Sequence, residues 1–351
     1  MGLSVDWKRA GEIFPILLHA LERRKYPYRW AFPPHAPAKL PRTMPRGSIE
    51  HANFLFCSCY YMRGRIRSDT AIQNLASVYL RHPKIFDPAW IAKRNPKYAV
   101  REVRRALREN GLGRNCKENS RFWVLNFRKL YEHWSGDVRK LLRGARSYED
   151  ICARIIRTKK GADGPHGFFG FREKMTSMLI YFLVDSDLFD PVDFPLPIDF
   201  HLMRVFVANE IIVPDEGVTD GSSIGNFALQ RKARQLTLEY CVKHGVNPLR
   251  LCDALWHLSR EGCARNLGNK SSKGRYTSRT TPIDPYVVTW NHRDIKAFDS
   301  GCGRCPIRGW CQWNIPEAVY YNRGRITVRG SRPEPPEEMR DQHELSFIAA
   351  Q

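Results

Sequence analysis

From Ile49 to about Cys152, apolar residues recur every three or four positions, and strictly alternating stretches are scarce. The segments "TAIQNLASVYLRHP", "KYAVREVRRALRENG" and "ENSRFWVLNFRKLYEHW" all carry this spacing. It puts an apolar stripe on one side of each helix, and each stripe must be covered by another helix. Gly111 and Gly113 supply a stop after the second segment. No internal repeat is present, and a mostly α architecture is expected.

Either side of this region the pattern changes. Residues 1–48 carry one helical segment, "WKRAGEIFPILLHALERRKY", with an interruption expected at Pro15. Five prolines between Pro33 and Pro45 then exclude regular helix and predict an extended strap. Residues 158–175, "TKKGADGPHGFFGFREKM", read as a Gly-rich turn opening into a helix over Met175 to Val184. Two further helices are expected over 223–244 and 248–262. A polar, basic stretch (264–295) and a cysteine cluster follow, and the tail from about residue 329 has a disordered composition.

At 351 residues the chain can build one large domain or two ordinary ones. Its 57 Lys and Arg against 36 Asp and Glu leave a net charge of +21. So large a surplus repels itself and points to a polyanionic partner, with affinity falling as salt rises. Met1 to Leu18 lacks the apolar core of a signal peptide, and the longest strongly apolar run, "MLIYFLV", is too short to span a bilayer. Ten cysteines without a secretion signal favour reduced thiols or metal ligands. A cytoplasmic, non-membrane chain is expected, nucleoid-associated if bacterial, and a monomer.

The cysteines near the C-terminus have metal-ligand spacing. "GCGRCPIRGWCQW" places Cys302, Cys305 and Cys311 as C-x2-C-x5-C. Thiolates two apart can reach one metal centre, and a third after a short turn can close around it. An iron–sulfur cluster takes four such ligands, and Cys263, ending "LCDALWHLSREGC", is the choice for the fourth. Structural zinc more often uses two C-x2-C knuckles, and only one is present, but zinc remains the competing metal. Cys57 and Cys59, in an apolar helix, read as core thiols.

In "LPIDFHLMRVF", Asp199 stands just ahead of Leu202, Val205 and Phe206 at helical spacing. An N-cap is its simplest reading, because the carboxylate accepts first-turn amides. His201 and Arg204 have ordinary helix-surface readings, or lie on a phosphate side.

Together these pieces resemble the helix-hairpin-helix (HhH-GPD) base-excision DNA glycosylases, in particular the endonuclease III-like branch that carries a [4Fe–4S] cluster. In that family a Leu-Pro-Gly-Val-Gly type hairpin opens a helix that bears a Lys in the lyase members. A Val-Asp-Thr-His-x-x-Arg segment and a C-x6-C-x2-C-x5-C cluster follow. Here "FFGFREKMTSMLI", "IDFHLMRV" and "EGCARN…CGRCPIRGWC" stand in the same order. The similarity covers about residues 50–315, and agreement is strong only over these three motifs. Phe169 replaces the hairpin's Pro, and Arg172 its second Gly. Between Cys263 and Cys302 lie 38 residues where the family has six.

The resemblance implies a two-lobed helical fold with a C-terminal iron–sulfur loop. Its parts would be an N-terminal extension (1–48), a helical barrel domain (49–160), the hairpin and catalytic segment (161–210), a cluster domain with a basic insertion (211–328) and a tail (329–351). It implies excision of a damaged or modified base from double-stranded DNA, with Asp199 catalytic and Lys174 a candidate lyase amine. Gly167, Gly170, Phe171 and Arg172 would grip the backbone through amides at a helix start. Met62, Arg63 and Arg65, in "YYMRGRIRSD", are candidate wedges for the gap left by a flipped nucleotide. Lys270, Lys273 and Arg275 could track a phosphate strand. The alternative is a non-catalytic iron–sulfur or zinc DNA-binding protein on the same scaffold.

Overall fold

The computed structural model describes residues 2–28, 40–62, 66, 68–157, 164–216, 223–263, 303–311, 317–319 and 325–327. In chain order come β1 (Leu3–Val5), α1 (Trp7–Glu22), α2 (Ile49–Ser58), α3 (Ser68–Arg81), α4 (Pro88–Ala92), α5 (Pro96–Glu109), α6 (Cys116–Trp134), α7 (Val138–Leu142), α8 (Tyr148–Ile155) and α9 (Glu173–Asp185). They are followed by α10 (Phe200–Ala208), β2 (Ile212–Pro214), β3 (Ser223–Gly225), α11 (Asn226–His244), α12 (Pro248–His257), β4 (Glu317–Val319) and β5 (Arg325–Thr327). A π-helical stretch, Leu258–Cys263, continues α12. The protein is mostly helical, as the spacing predicts. Among the described residues no helix is long and apolar enough to cross a membrane.

Helix starts follow local chemistry. Asp6, Ser48, Asn95 and Ser147 each accept a first-turn amide at the head of α1, α2, α5 and α8. The expected interruption at Pro15 does not occur: α1 runs through it. Its buried face is Ala10, Ile13, Phe14, Leu17 and Ala20, while Pro15 and Gly11 face solvent. The hydrogen bond that proline cannot donate is thus lost where water can replace it, and Gly11 four residues back adds no side chain to the crowding.

The chain divides into two compact units, Phe32–Pro197 and Met1–Ala31 with Ile198–Gln351. These boundaries differ from the expected ones. The N-terminal helix belongs with the C-terminal half, and the expected 161–210 segment is divided before Ile198. The reason is pairing: β1 lies antiparallel to β2 with Leu3 opposite Pro214, and Arg9 donates to Asn209 O and to the Glu210 carboxylate. Phe14 meets Tyr240 edge-on at 4.7 Å, and Tyr28 donates to Ala254 O at 2.7 Å. A small sheet of order β3-β5-β4 completes this unit.

The Phe32–Pro197 unit is built on an aromatic core. Phe54, Phe56, Phe86, Trp123, Phe127 and Phe168 are all fully buried. Trp123 packs edge-on to Phe86 at 4.9 Å and donates its indole N–H to Ile85 O. Cys57 and Cys59 lie in this core, fully buried. Burial pushes the Cys57 thiol well above its ordinary value, with Cys59 adding to the shift, so it stays protonated.

Candidate functional site

Asp199 caps α10, accepting from His201 N at 2.8 Å and Leu202 N at 3.2 Å, both on Oδ1. Its other oxygen, Oδ2, has no partner among the described residues, and the residue is half-buried. The carboxylate is therefore held by its own helix through one atom while the second remains uncommitted. His201 turns its Nδ1 to Ser259 Oγ at 3.2 Å and its ring toward Trp256. Arg204 is buried, with its guanidinium 5.6 Å from the Phe200 ring centre, so it is not the surface residue its helical position suggested.

In the other unit the Gly-rich turn has the backbone its glycines require. Gly167 and Gly170 sit at φ +77° and +83°, a region costly to any residue with a Cβ. The turn is held from one side by α6. Asn126 accepts from Phe169 N at 2.8 Å and donates to Phe169 O at 2.9 Å and to Tyr60 Oη at 2.7 Å. One turn along, Lys129 Nζ donates to His166 O at 2.8 Å and Gly167 O at 3.0 Å. Trp134 Nε1 donates to Pro165 O. None of these three was singled out in the sequence. The only local signal was polar residues one turn apart on a helix face that packs inward.

This anchoring changes how the turn can be read. The amides of Gly167 and Phe168 donate to Arg154 O and Ile155 O, and that of Phe169 to Asn126. The Phe171 amide reaches Phe168 O at 3.4 Å. Of the residues expected to grip a phosphate, Gly167 and Phe171 thus have their amides turned inward. Phe171 is buried and stacked on Phe56 at 4.7 Å, so its side chain is core rather than contact surface. Arg172, by contrast, is exposed and begins α9, where no side chain caps the helix.

Lys174 is half-buried and donates to Met62 O at 3.0 Å, so the structure brings the candidate amine and one candidate wedge together. Met62 itself is buried, and its side chain does not project as a wedge must. Arg63, Arg65, Lys270, Lys273 and Arg275 lie outside the described residues, as does the 329–351 tail. Lys174 and Asp199 belong to different compact units.

Of the four expected cysteine ligands, Cys305 and Cys311 are described, Cys302 is not, and of Cys263 only the backbone is. Cys305 and Cys311 flank consecutive turns, in which Arg308 N donates to Cys305 O and Cys311 N to Ile307 O. Both are half-buried. Ile307 is buried, Trp310 donates to Glu12 of α1, and Arg304 lies over the Tyr26 ring. Among the described residues no cluster of three or more His, Cys, Asp or Glu side chains forms. Of the four expected thiols, those of Cys305 and Cys311 are among the described side chains. The donor chemistry, thiols on a tight turn anchored to α1, fits a thiophilic centre.

No family model and no curated protein matches the chain.

Proposed function

We propose that the protein is a DNA glycosylase that cleaves the N-glycosidic bond of a damaged or modified base in double-stranded DNA. The observation that carries this reading is the divided carboxylate of Asp199: Oδ1 committed to the cap, Oδ2 without a partner among the described residues. The resemblance of the three ordered motifs and the +21 charge support it.

As the glycosidic bond breaks, its electron pair leaves with the base nitrogen and the anomeric carbon becomes cationic. The cap holds Asp199 in place, and its free oxygen faces that charge. At about 4 Å and an effective dielectric of about 20, the attraction is about 4 kcal/mol. That corresponds to roughly a thousandfold in rate. Water then adds to the carbon, and the proton it loses balances the one the departing nitrogen takes up from solvent, so that an abasic site and the free, neutral nucleobase result. The nucleotide must be flipped out of the duplex for the carboxylate to reach its sugar. Lys174, with its amine on Met62 O, would have to release that carbonyl to attack the sugar carbon. The reading therefore favours water as nucleophile and a monofunctional enzyme.

Cys263, Cys302, Cys305 and Cys311 would hold a [4Fe–4S] cluster, which would serve as a covalent tie within its unit rather than as a reactant.

Duplexes carrying single oxidised, alkylated, deaminated or hypermodified bases, incubated with the protein and then treated with alkali, test the proposal. One substrate should yield strand breaks at the modified position, and Asp199→Asn should lose them. Absence of an abasic product across the whole panel would leave the non-catalytic DNA-binding alternative, and an Asn variant as active as wild type would remove Asp199 from the chemistry.

A further inference from the structure

Helix α5 carries a line of cations that the reading above does not use. Lys97, Arg101, Arg104 and Arg108 recur at i, i+4, i+7 and i+11, within roughly 60° of arc on a 3.6-residue turn. Lys97, Arg101 and Arg108 are exposed, and Arg104 is half-buried. The opposite face, Ala99, Val103, Ala106 and Leu107, is buried, so the stripe points outward. Lys93 and Arg94, exposed just ahead of the Asn95 cap, extend it.

The arrangement opposes the stability of its own helix. Like charges one turn apart repel, by about 0.2–0.5 kcal/mol a pair. Cations ahead of and within the first turn also face the positive end of the helix dipole, and that turn holds no acid. The nearby acids, Glu102 and Glu109, lie to one side of the stripe and pair with Arg105. Arg104 Nε is buried and has no acceptor among the described residues. Two of the basic side chains rest on aromatic faces, Arg94 over Trp90 at 5.4 Å and Arg101 over Tyr98 at 5.3 Å. Such support reduces the freedom each must lose on binding.

The geometry points to α5 as a binding surface for a nucleic-acid backbone, independent of base identity and of any excision. The four cations span about 16 Å, the axial length of about five phosphates on one strand. Three of the four are arginines, whose forked donors suit phosphate oxygens. A lipid surface is disfavoured because Ala99, Val103, Ala106 and Leu107 of α5 are buried, Val100 is half-buried and Tyr98 is the exposed large apolar residue of the helix.

The test measures binding of the full chain to an unmodified duplex as a function of salt. Neutralising the stripe (K97Q, R101Q, R104Q, R108Q) should cut the slope of log affinity against log salt by about 3–4, and lower affinity at least ~10-fold near 0.1 M salt. Glutamine keeps helix propensity, and circular dichroism checks the fold. If the fourfold variant does not fold, the exposed pair R101Q and R108Q should still lower the slope by about 2. An unchanged slope overturns the assignment. So does an equal fall when Arg23, Lys25, Lys243 and Arg250 are neutralised instead, or a loss confined to anionic phospholipid vesicles. Because the duplex carries no modified base, failure here leaves base excision untouched, and failure of base excision leaves the stripe standing.

Discussion

The buried ammonium of Lys129 donates to the carbonyl oxygen of Gly167 at 3.0 Å, so a residue of α6 holds the glycine turn that opens α9. The same Nζ reaches His166 O. Replacing it with Met would preserve bulk and remove both charge-assisted bonds, leaving the buried Gly167 carbonyl unpaired. Lys129→Met should lower unfolding free energy by about 2–3 kcal/mol in urea titration. A loss below about 0.5 kcal/mol would mean that water takes over both bonds.

Asn126 makes a different kind of anchor, giving and accepting at Phe169 and also reaching Tyr60. Leucine at this position strands the Phe169 amide and carbonyl and takes a donor from Tyr60, whereas Tyr60→Phe removes one partner and leaves the Phe169 pair intact. Equilibrium unfolding should therefore rank Asn126→Leu well below Tyr60→Phe, by about 2 kcal/mol or more. Equal losses would show that the Tyr60 bond alone matters.

The cap and the charge of Asp199 can be separated by substitution. Asparagine caps as well as aspartate, and alanine does not. Asp199→Asn should keep stability within about 0.5 kcal/mol, while Asp199→Ala loses about 1 kcal/mol. Both should lose base excision by roughly a thousandfold. An Asn variant as destabilised as the Ala variant would show that the carboxylate does more for the fold than cap α10.

His51 makes stability depend on pH. Burial, and then the nearby Arg46 and Arg139 charges, hold its pKa below the ordinary histidine value. Its Nδ1 accepts from Gly47 N at 3.2 Å, and protonation would destroy that acceptor. The folded state binds this proton less readily than the unfolded chain. The contribution of His51 is therefore complete above about pH 6.5 and is lost as pH falls from there toward the lowered folded value. Between about pH 7.5 and about pH 5, the urea midpoint of His51→Gln should fall less than that of wild type. Parallel curves would remove His51 from the account.

The cysteine segment predicts a metal readout separate from activity. Protein purified without oxygen should absorb near roughly 400 nm and contain iron and sulfide. Cys305→Ser and Cys311→Ser should each lose the band. Zinc in stoichiometric amount without absorbance would favour the competing centre.

Much of this protein was decided by residues only a turn apart. The apolar spacing of α3, α5 and α6, the Asp199 cap and the Gly-rich turn ahead of α9 all depend on near neighbours, and each was legible in the sequence. The cationic line on α5 belongs with them, since its spacing can be read from "KYAVREVRRALRE" without coordinates. Packing across long separations decided the rest. Pro15 is tolerated because it falls on the solvent side of α1, and the N-terminal helix joins the C-terminal half because β1 finds β2 some two hundred residues away. The turn at 167–171 directs most of its amides inward because α8 carbonyls and the side chain of Asn126 meet it there. Periodicity and capping act through the local backbone, so sequence determines them directly. Which way a polar turn faces depends on donors and acceptors that only folding brings within reach.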